Sequence, residues 1–219
     1  MGGTRGTAWQ STLLPGITLH VDEEMLWIRG ERPLWTLSSA VVGGGFNRTR
    51  DIINRHVSKH YDAPHPAEDL RRFARERGIE APFVGLMTAA YVHRARLAHA
   101  HRGRIHVVAV GTVGLSNPTA AGVTPPFTPR PGTINLILLV DAHLTPAAMV
   151  NAVITATEAK TAALYRRGIR TPEGHPASGT STDAIVIATT ARGAPHPYAG
   201  PVTDVGWLIA RAVRGILLP

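Results

Sequence analysis

Apolar residues occur along this chain in short runs that predict more strands than helices. The runs are rich in Val, Ile, Leu and Thr and end at glycine, proline or charged residues. The run at 133–140 is almost entirely apolar, which is typical of a strand buried on both faces. Strands are predicted over residues 17–21, 25–29, 35–42, 52–57, 83–90, 105–112, 133–140 and 184–190.

Three segments instead carry the spacing and the end signals of helices. The longest is preceded by Thr145, a suitable N-cap residue, starts at Pro146 and is followed by Gly168. The last segment repeats Val, Leu, Ile and Ala on one helical face. Helices are predicted over residues 66–77, 146–167 and 205–216.

Most successive strands have no helix between them, and this arrangement predicts the fold class. It favours an α/β chain of the mixed α+β type, in which helices cover one mixed β-sheet in a single domain. Residues 91–104 carry several Arg and His residues and are expected to form a solvated loop or a crossing between strands. Residues 1–12 are expected to be a flexible N-terminal tail, and residues 13–219 to be the domain.

Composition excludes several kinds of chemistry. The 219 residues include no cysteine, so disulfides, thiolate metal sites and a catalytic thiol are excluded. The formal net charge is +8, but the arginines are scattered and only 5% of residues are aromatic, so no nucleic-acid partner is expected. No apolar run reaches the roughly 18 residues of a membrane span. No secretory signal is evident, so a cytoplasmic protein is expected; the sequence leaves a homo-oligomer open.

The common catalytic motifs are missing from the sequence. There is no phosphate-binding loop, no dinucleotide fingerprint and no Gly-x-Ser-x-Gly nucleophile elbow. The histidines show no metal-ligand spacing; His56 and His60 are four apart, but His56 lies in a predicted strand, so the geometry of a helical metal-binding pair does not apply. We therefore expect no metal site and no cofactor.

Two residues of the long predicted helix are candidates for chemistry. Glu158 shares a helix face with Asn151, Thr155 and Thr161, a polar stripe that suits either a pocket wall or a solvated surface. Lys160 lies about 200° around the helix from Glu158, among apolar residues. It is either a snorkelling lysine or a buried charge with a carboxylate partner, for which Asp183 is the residue to test.

Five short sequence motifs, taken in their order along the chain, together resemble those of the adenosylcobinamide amidohydrolase family. They are Leu37-Ser38-Ser39-Ala40 with Gly43-Gly44-Gly45, Gly114-Leu115-Ser116-Asn117 with Ala121-Gly122, Gly132-Thr133-Ile134-Asn135, Glu158-Ala159-Lys160-Thr161-Ala162-Ala163-Leu164, and Gly179-Thr180-Ser181-Thr182-Asp183. The resemblance covers residues 35–215. It implies hydrolysis of the amide that joins aminopropanol to the corrin ring of adenosylcobinamide, in corrinoid salvage. The corrinoid would be the partner, and the cobalt would arrive with the substrate.

A physical assignment of roles follows for such a reaction. With no thiol, a carboxylate acting as general base on water or on a hydroxyl is the simplest route. Glu158 is the first choice for that base, in an expected apolar surround, and Asp183 the second; if a metal were present, both would be ligands. Thr180 and Thr182 would hold the oxyanion. The full expected site is catalytic Glu158, Asp183 and Thr182, with substrate-binding Ser38, Ser39, Gly44, Gly45, Asn117, Asn135, Thr180 and Lys160. The alternative is a corrinoid-binding protein without turnover.

Overall fold

The computed structural model describes residues 8–128 and 132–218. The helices of this part are α1 (Pro66–Glu76), α2 (Pro146–Arg166) and α3 (Asp204–Leu217), with a short 3-10 turn at Val92–Arg94. The strands are β1 (Trp9–Leu14), β2 (Ile17–Val21), β3 (Met25–Ser38), β4 (Gly45–His56), β5 (Phe83–Thr88), β6 (Arg96–Arg102), β7 (Ile105–Val113), β8 (Pro118–Thr119), β9 (Ile134–Asp141), β10 (His143–Leu144), β11 (Gly179–Thr180), β12 (Ala184–Thr189) and β13 (Pro195–His196).

One mixed sheet organises the described residues. Nine strands belong to it, in the order β1-β2-β3-β12-β9-β7-β6, with β4 and then β5 on the other edge of β3. The pairs β4–β5 and β9–β12 are parallel, and the remaining pairs of this sheet are antiparallel. The predicted fold class, a mixed sheet covered by helices, is confirmed.

The long strand β3 makes the sheet curl. Its first half pairs with β2 and its second half with β12, while β4 follows its other edge. The pairing with β4 shifts register between Arg29 and Leu34, and such a bulge bends a strand. Because of this curl, the inner faces of the two halves of the sheet meet. Ile28 of β3 and Ile137 of β9 are fully buried in the same core.

Helices cover the outer faces of the sheet. Helices α2 and α3 pack on β12, β9 and β7 through an apolar core that includes Ala156 and Ile209, while α1 packs Leu70 and Phe73 on the β4–β5 side. The predicted cap of α2 is confirmed, because Thr145 Oγ1 accepts a hydrogen bond of 3.1 Å from the Ala148 amide. The second half of β3 and its β4 partner extend beyond α2 with their outer face exposed.

Three expectations of local structure are corrected. Strand β6 occupies part of the expected loop 91–104, because Ala98 and Ala100 pack on the helical core while His99 and His101 are exposed. Alanine is too weakly apolar for such an alternation to stand out. Strand β1 starts at Trp9 and pairs with β2, so residues 9–12 are not a flexible tail; residues 1–7 lie outside the described part. The predicted strand 25–29 and the first part of the predicted strand 35–42 belong to the single strand β3, which ends at Ser38 and whose continuity was hidden by Pro33 and the exposed bulge.

Candidate active site

Lys160 of α2 and Asp183, next to the start of β12, form a buried ion pair. Their side chains are only 8% and 12% exposed, and the Lys160 ammonium donates a short hydrogen bond to Asp183 Oδ2. The hypothesis that a buried Lys160 has Asp183 as its partner is confirmed. Burying two charges is unfavourable unless both are well paired, so the geometry of this pair is under strong constraint.

Asp183 is saturated with hydrogen-bond donors. Its Oδ2 also accepts from the Thr180 amide at 3.1 Å, and its Oδ1 accepts from the Ile134 amide at 3.0 Å and from the Thr180 hydroxyl. Four donors fill the sites that an ionised carboxylate offers. Asp183 is therefore held as an anion that positions Lys160, and it has no free lone pair with which to act as a general base. The Thr180 hydroxyl, which gives its proton to Asp183, is likewise not free to bind an oxyanion.

The ion pair lies in the wall of a cavity of about 380 Å³ between α2 and the end of β3, called the Lys160 cavity below. Its lining combines apolar side chains with hydroxyl groups and this pair, a composition typical of small-molecule sites. The lining residues are Leu37, Ser38, Ser39, Val150, Val153, Thr157, Lys160, Asp183 and Ile185. The structure thus brings together four of the predicted site residues: Ser38, Ser39, Lys160 and Asp183.

Backbone contacts hold the serine side of the Lys160 cavity in place. The Ile185 amide donates to Ser39 Oγ, and the Ser39 amide donates to the Ile185 carbonyl, both at 3.2 Å. This pair of bonds closes the junction between β3 and β12 and fixes the Ser39 oxygen at the cavity wall. Ser38 is buried, and its Oγ lies 3.5 Å from the Gly43 carbonyl.

Gly179 is a site residue that was not among those predicted from the sequence. A Cβ atom at this position would lie 2.5 Å from Asp183 Oδ2 and 2.7 Å from Lys160 Nζ. The backbone therefore approaches the ion pair more closely than any side chain would allow. The Gly-Thr-Ser-Thr-Asp string could have indicated this residue, because its glycine belongs to the loop that holds the Asp183 carboxylate.

The expectation that Glu158 shares a cleft with Asp183 is wrong. Glu158 is exposed, does not line the Lys160 cavity, and makes no hydrogen bond or ion pair within the described part of the chain. The reason is helix geometry, because residues two apart point in nearly opposite directions and Lys160 takes the inward one. The apolar surround on which the general-base role of Glu158 depended is absent. Its helix neighbours Thr155 and Thr161 instead bond to the Ala199 and Ser178 carbonyls.

Thr182 lies at a different cavity from its neighbour Asp183. It lines a second cavity, of about 260 Å³, together with Ser39, Thr133, Asn135 and Tyr61; this is the Tyr61 cavity. Thr182 belongs to the turn at residues 181–182, directly before Asp183. The three residues expected to be catalytic are therefore separated: Glu158 faces solvent, Asp183 faces the Lys160 cavity and Thr182 faces the Tyr61 cavity.

Tyr61 and Asp69 form a polar pair at the rim of the Tyr61 cavity. The Tyr61 hydroxyl donates to Asp69 Oδ2 at 2.9 Å, and Arg55 donates to the same oxygen at 2.8 Å. Burial, and then the hydrogen bond to the Asp69 carboxylate, raises the pKa of Tyr61 to about 12. For Asp69, burial alone would raise the pKa, but the bonds from Tyr61 and Arg55 outweigh it and hold the pKa below its ordinary value of 3.8.

Asn135 belongs to a buried network, which corrects its expected contact with substrate amides. Its Nδ2 donates to Asn54 Oδ1 at 3.0 Å and to the Met87 carbonyl at 2.9 Å, and its Oδ1 accepts from Thr133. Both of its N–H bonds are thus used inside the protein, and only 1% of the residue is exposed. Thr133 also donates to the Thr182 carbonyl at 2.7 Å, so the network supports the loop that carries Asp183.

The remaining predicted contacts lie outside both cavities. Asn117 packs beside Gly132, and its carbonyl accepts from the Ser181 amide at 3.3 Å. Gly44 lies in the exposed turn between β3 and β4, and Gly45 is the first residue of β4. A Cβ on Gly44 would lie 2.7 Å from the Ala40 carbonyl oxygen, so the tight turn itself requires this glycine. Contact of these three residues with a ligand stays a prediction.

Within residues 8–128 and 132–218, no group of three or more His, Asp and Glu side chains is arranged to hold a metal ion. Glu158 and Asp183 do not come together as a pair of ligands. None of the helices in this same part is long and apolar enough to cross a bilayer.

The fold and the site define an α+β protein whose small-molecule cavity presents a lysine ammonium, two serine hydroxyls and no thiol. A profile of the adenosylcobinamide amidohydrolase family matches residues 11–217 of this sequence. The chain belongs to the adenosylcobinamide amidohydrolase family.

Individual relatives agree with this assignment. An adenosylcobinamide amidohydrolase of Methanosarcina mazei is 33% identical over 207 residues, which cover 90% of this chain and 94% of the relative. An adenosylcobinamide amidohydrolase of Halobacterium salinarum is 38% identical over 136 residues, 59% of this chain and 54% of the relative. Among solved structures, a protein of Pyrococcus horikoshii OT3 overlays on 89% of this chain and 76% of its own, with 13% identity and a TM-score of 0.47.

Proposed function

We propose that this protein hydrolyses the amide between aminopropanol and the corrin ring of adenosylcobinamide, giving adenosylcobyric acid and aminopropanol, and that the reaction takes place in the Lys160 cavity. The observation that carries the location is the buried Lys160–Asp183 pair in the wall of that cavity. At about 380 Å³ the cavity is at the small end of ligand sites, which suits the amide arm of the substrate rather than the ring.

Lys160 supplies the positive charge that amide hydrolysis requires. Its ammonium carries three N–H bonds, of which one goes to Asp183 and no other reaches an acceptor within the described residues. The remaining N–H bonds are available to the substrate carbonyl oxygen. As that oxygen becomes an oxyanion, a fixed cation whose side chain is only 8% exposed stabilises it more than water would.

Lys160 can also provide a proton to the leaving group. In the overall reaction the C–N bond breaks, a C–O bond forms with the oxygen of water, and one proton moves to the departing aminopropanol nitrogen. An ammonium group next to the scissile bond is a suitable donor for that proton, and Lys160 regains a proton from the attacking water or Ser39 hydroxyl, so its charge is restored. Asp183 keeps the Lys160 side chain in place through these steps and is a positioning residue.

Ser39 defines the side from which the carbonyl carbon is attacked. Its Oγ is fixed by the Ile185 amide and lines the same cavity as Lys160. The Ser39 hydroxyl either attacks directly, forming an ester that water then cleaves, or holds the attacking water. A burst of aminopropanol before steady turnover in the wild type, which a Ser39→Ala variant abolishes, identifies direct attack by the hydroxyl.

The test of the proposal compares the wild type with a Lys160→Met variant, which keeps the length of the side chain without its charge. Purified protein is incubated with adenosylcobinamide, and adenosylcobyric acid is measured by chromatography. We expect the variant to lose about 10²–10³-fold in kcat, the usual effect of removing one oxyanion donor.

Glu158→Gln is the matched control, because this side chain lies on the same helix but faces solvent. We expect it to retain wild-type turnover. A Lys160→Met variant with full activity would remove the reaction from this cavity. Wild-type protein that binds adenosylcobinamide without releasing product would instead indicate a corrinoid-binding protein.

A further inference from the structure

An aromatic surface lies beside the Lys160 cavity, on a part of the sheet that none of the helices in residues 8–128 and 132–218 covers. Trp35 of β3 and Phe46 of β4 stack with ring centroids 5.2 Å apart and an angle of 19° between their planes. They are 37% and 49% exposed, so much of this stacked pair faces solvent. Large aromatic side chains exposed together on a sheet face mark interaction sites more often than lone exposed ones do.

Strand geometry makes this surface continuous with the cavity. Side chains alternate along a strand, so Trp35 and Leu37 share one face of β3. Leu37 and Ser39 line the Lys160 cavity, and Leu37 is the cross-strand partner of Phe46. Trp35 is two residues from Leu37, about 7 Å along the strand. The surface formed by Trp35, Leu37 and Phe46, called the aromatic wall, therefore begins where the cavity ends.

Helix α2 supplies the opposite side of the opening. Val150 and Val153 line the Lys160 cavity, and Val150 and Ile154 are each about half exposed, one helical turn apart. The opening is consequently apolar on both sides. At the far end of the aromatic wall, the Arg48 guanidinium lies 5.3 Å from the centre of the Trp35 ring.

We propose that the aromatic wall binds the corrin ring of the substrate and thereby places the scissile amide at Lys160. This inference rests on the proposed function and adds to it the part of the protein that recognises the ring. The cavity has room for the amide arm only, so the ring must lie outside its mouth. A broad conjugated ring is complementary to stacked indole and phenyl rings.

The test separates binding from chemistry with Trp35→Ala and Phe46→Ala variants. Both side chains are exposed, and neither touches Lys160 or Asp183, so we expect each variant to raise KM for adenosylcobinamide about tenfold and to leave kcat within about twofold. Trp35→Phe should recover most of the affinity.

The chain offers matched controls for both changes. Trp207 on α3 is 41% exposed and Phe127 is 50% exposed, and neither lines the Lys160 cavity. Their alanine variants should leave KM unchanged. Wild-type KM in both aromatic-wall variants would overturn the inference, as would an equal effect of the controls.

Two further measurements distinguish failure of the aromatic-wall inference from failure of the proposed reaction and from self-association of the protein. Equilibrium dialysis with adenosylcobinamide gives Kd for every variant without turnover, so a wild type that binds but does not hydrolyse overturns the proposed reaction and still tests the aromatic wall. A wild type that neither binds nor hydrolyses overturns both. Analytical ultracentrifugation is the second measurement; a wild-type dimer that Trp35→Ala dissociates would show that the wall is covered by a second copy of this chain, contrary to the inference.

Discussion

Removing either partner of the Lys160–Asp183 pair should destabilise the protein, but by unequal amounts. Asp183→Asn leaves an ammonium that is 8% exposed without a counter-ion, and a buried charge left unpaired costs about 3–5 kcal/mol. Lys160→Met leaves the Asp183 carboxylate with three donors, from Ile134 N and from the amide and hydroxyl of Thr180. Losing one of four hydrogen bonds to a carboxylate costs about 1–3 kcal/mol.

The double variant distinguishes pairing from simple loss of packing. In Lys160→Met/Asp183→Asn neither charge remains, so the unpaired ammonium is no longer buried. The double variant should therefore be more stable than the sum of the single effects predicts, by about 0.5–3 kcal/mol. Since small proteins have about 5–15 kcal/mol of stability, all three variants should remain folded at 25 °C.

Urea unfolding followed by circular dichroism measures these free energies. The wild type, the two single variants and the double variant complete one thermodynamic cycle, and equal urea slopes would show that the unfolded states are comparable. Equal costs for the two single variants, or strictly additive effects, would refute the reasoning that Asp183 is independently held by its own loop.

Two further predictions follow from the same geometry. Gly179→Ala places a methyl group 2.5 Å from Asp183 Oδ2, so it should separate the ion pair and lower kcat at least about tenfold in the chromatographic assay; unchanged kcat would contradict the close approach. Because the pKa of Tyr61 is raised from 10.0 to about 12, its contribution to stability is fully present below pH 10 and is lost as the pH rises towards 12. Phenolate absorbance should therefore show a last step near pH 12 that Tyr61→Phe removes and Asp69→Asn moves to lower pH; a Tyr61→Phe titration identical to the wild type would refute it.

Local signals in the sequence were sufficient for most of the fold. The cap residue Thr145 and the break at Gly168 bounded the long helix, and runs of β-branched residues predicted most strands of the sheet. Strand β6 and the continuity of β3 were not predicted, because an alanine–histidine alternation and a proline at a bulge do not resemble strand patterns. Strand order could not be predicted, since β12 joins β3 and β9 only through contacts distant in sequence.

The site was predicted in part, and the reason differs from residue to residue. Helical periodicity placed Lys160 on the buried face, and the nearby carboxylate of Asp183 was a natural partner for a buried charge. Periodicity alone did not tell which of the two faces of α2 lines the cavity, so Glu158 was assigned a role that its exposure does not support. Asn135 was expected to contact the substrate because no local pattern indicated its actual hydrogen-bond partners. These are Asn54 and the Met87 carbonyl, which are 81 and 48 residues away in the sequence.

The sequence by itself determined which chemical groups exist in this protein: hydroxyls, one lysine in an apolar helix, carboxylates and no thiol. It also determined the local elements, because caps, turns and periodicity act over a few residues. Only the tertiary structure decided which of those groups meet, since the curl of β3, the pairing of β3 with β12 and the packing of α2 are set by contacts between distant segments. For that reason the aromatic wall and the inward side of α2 could be identified only from the folded sheet.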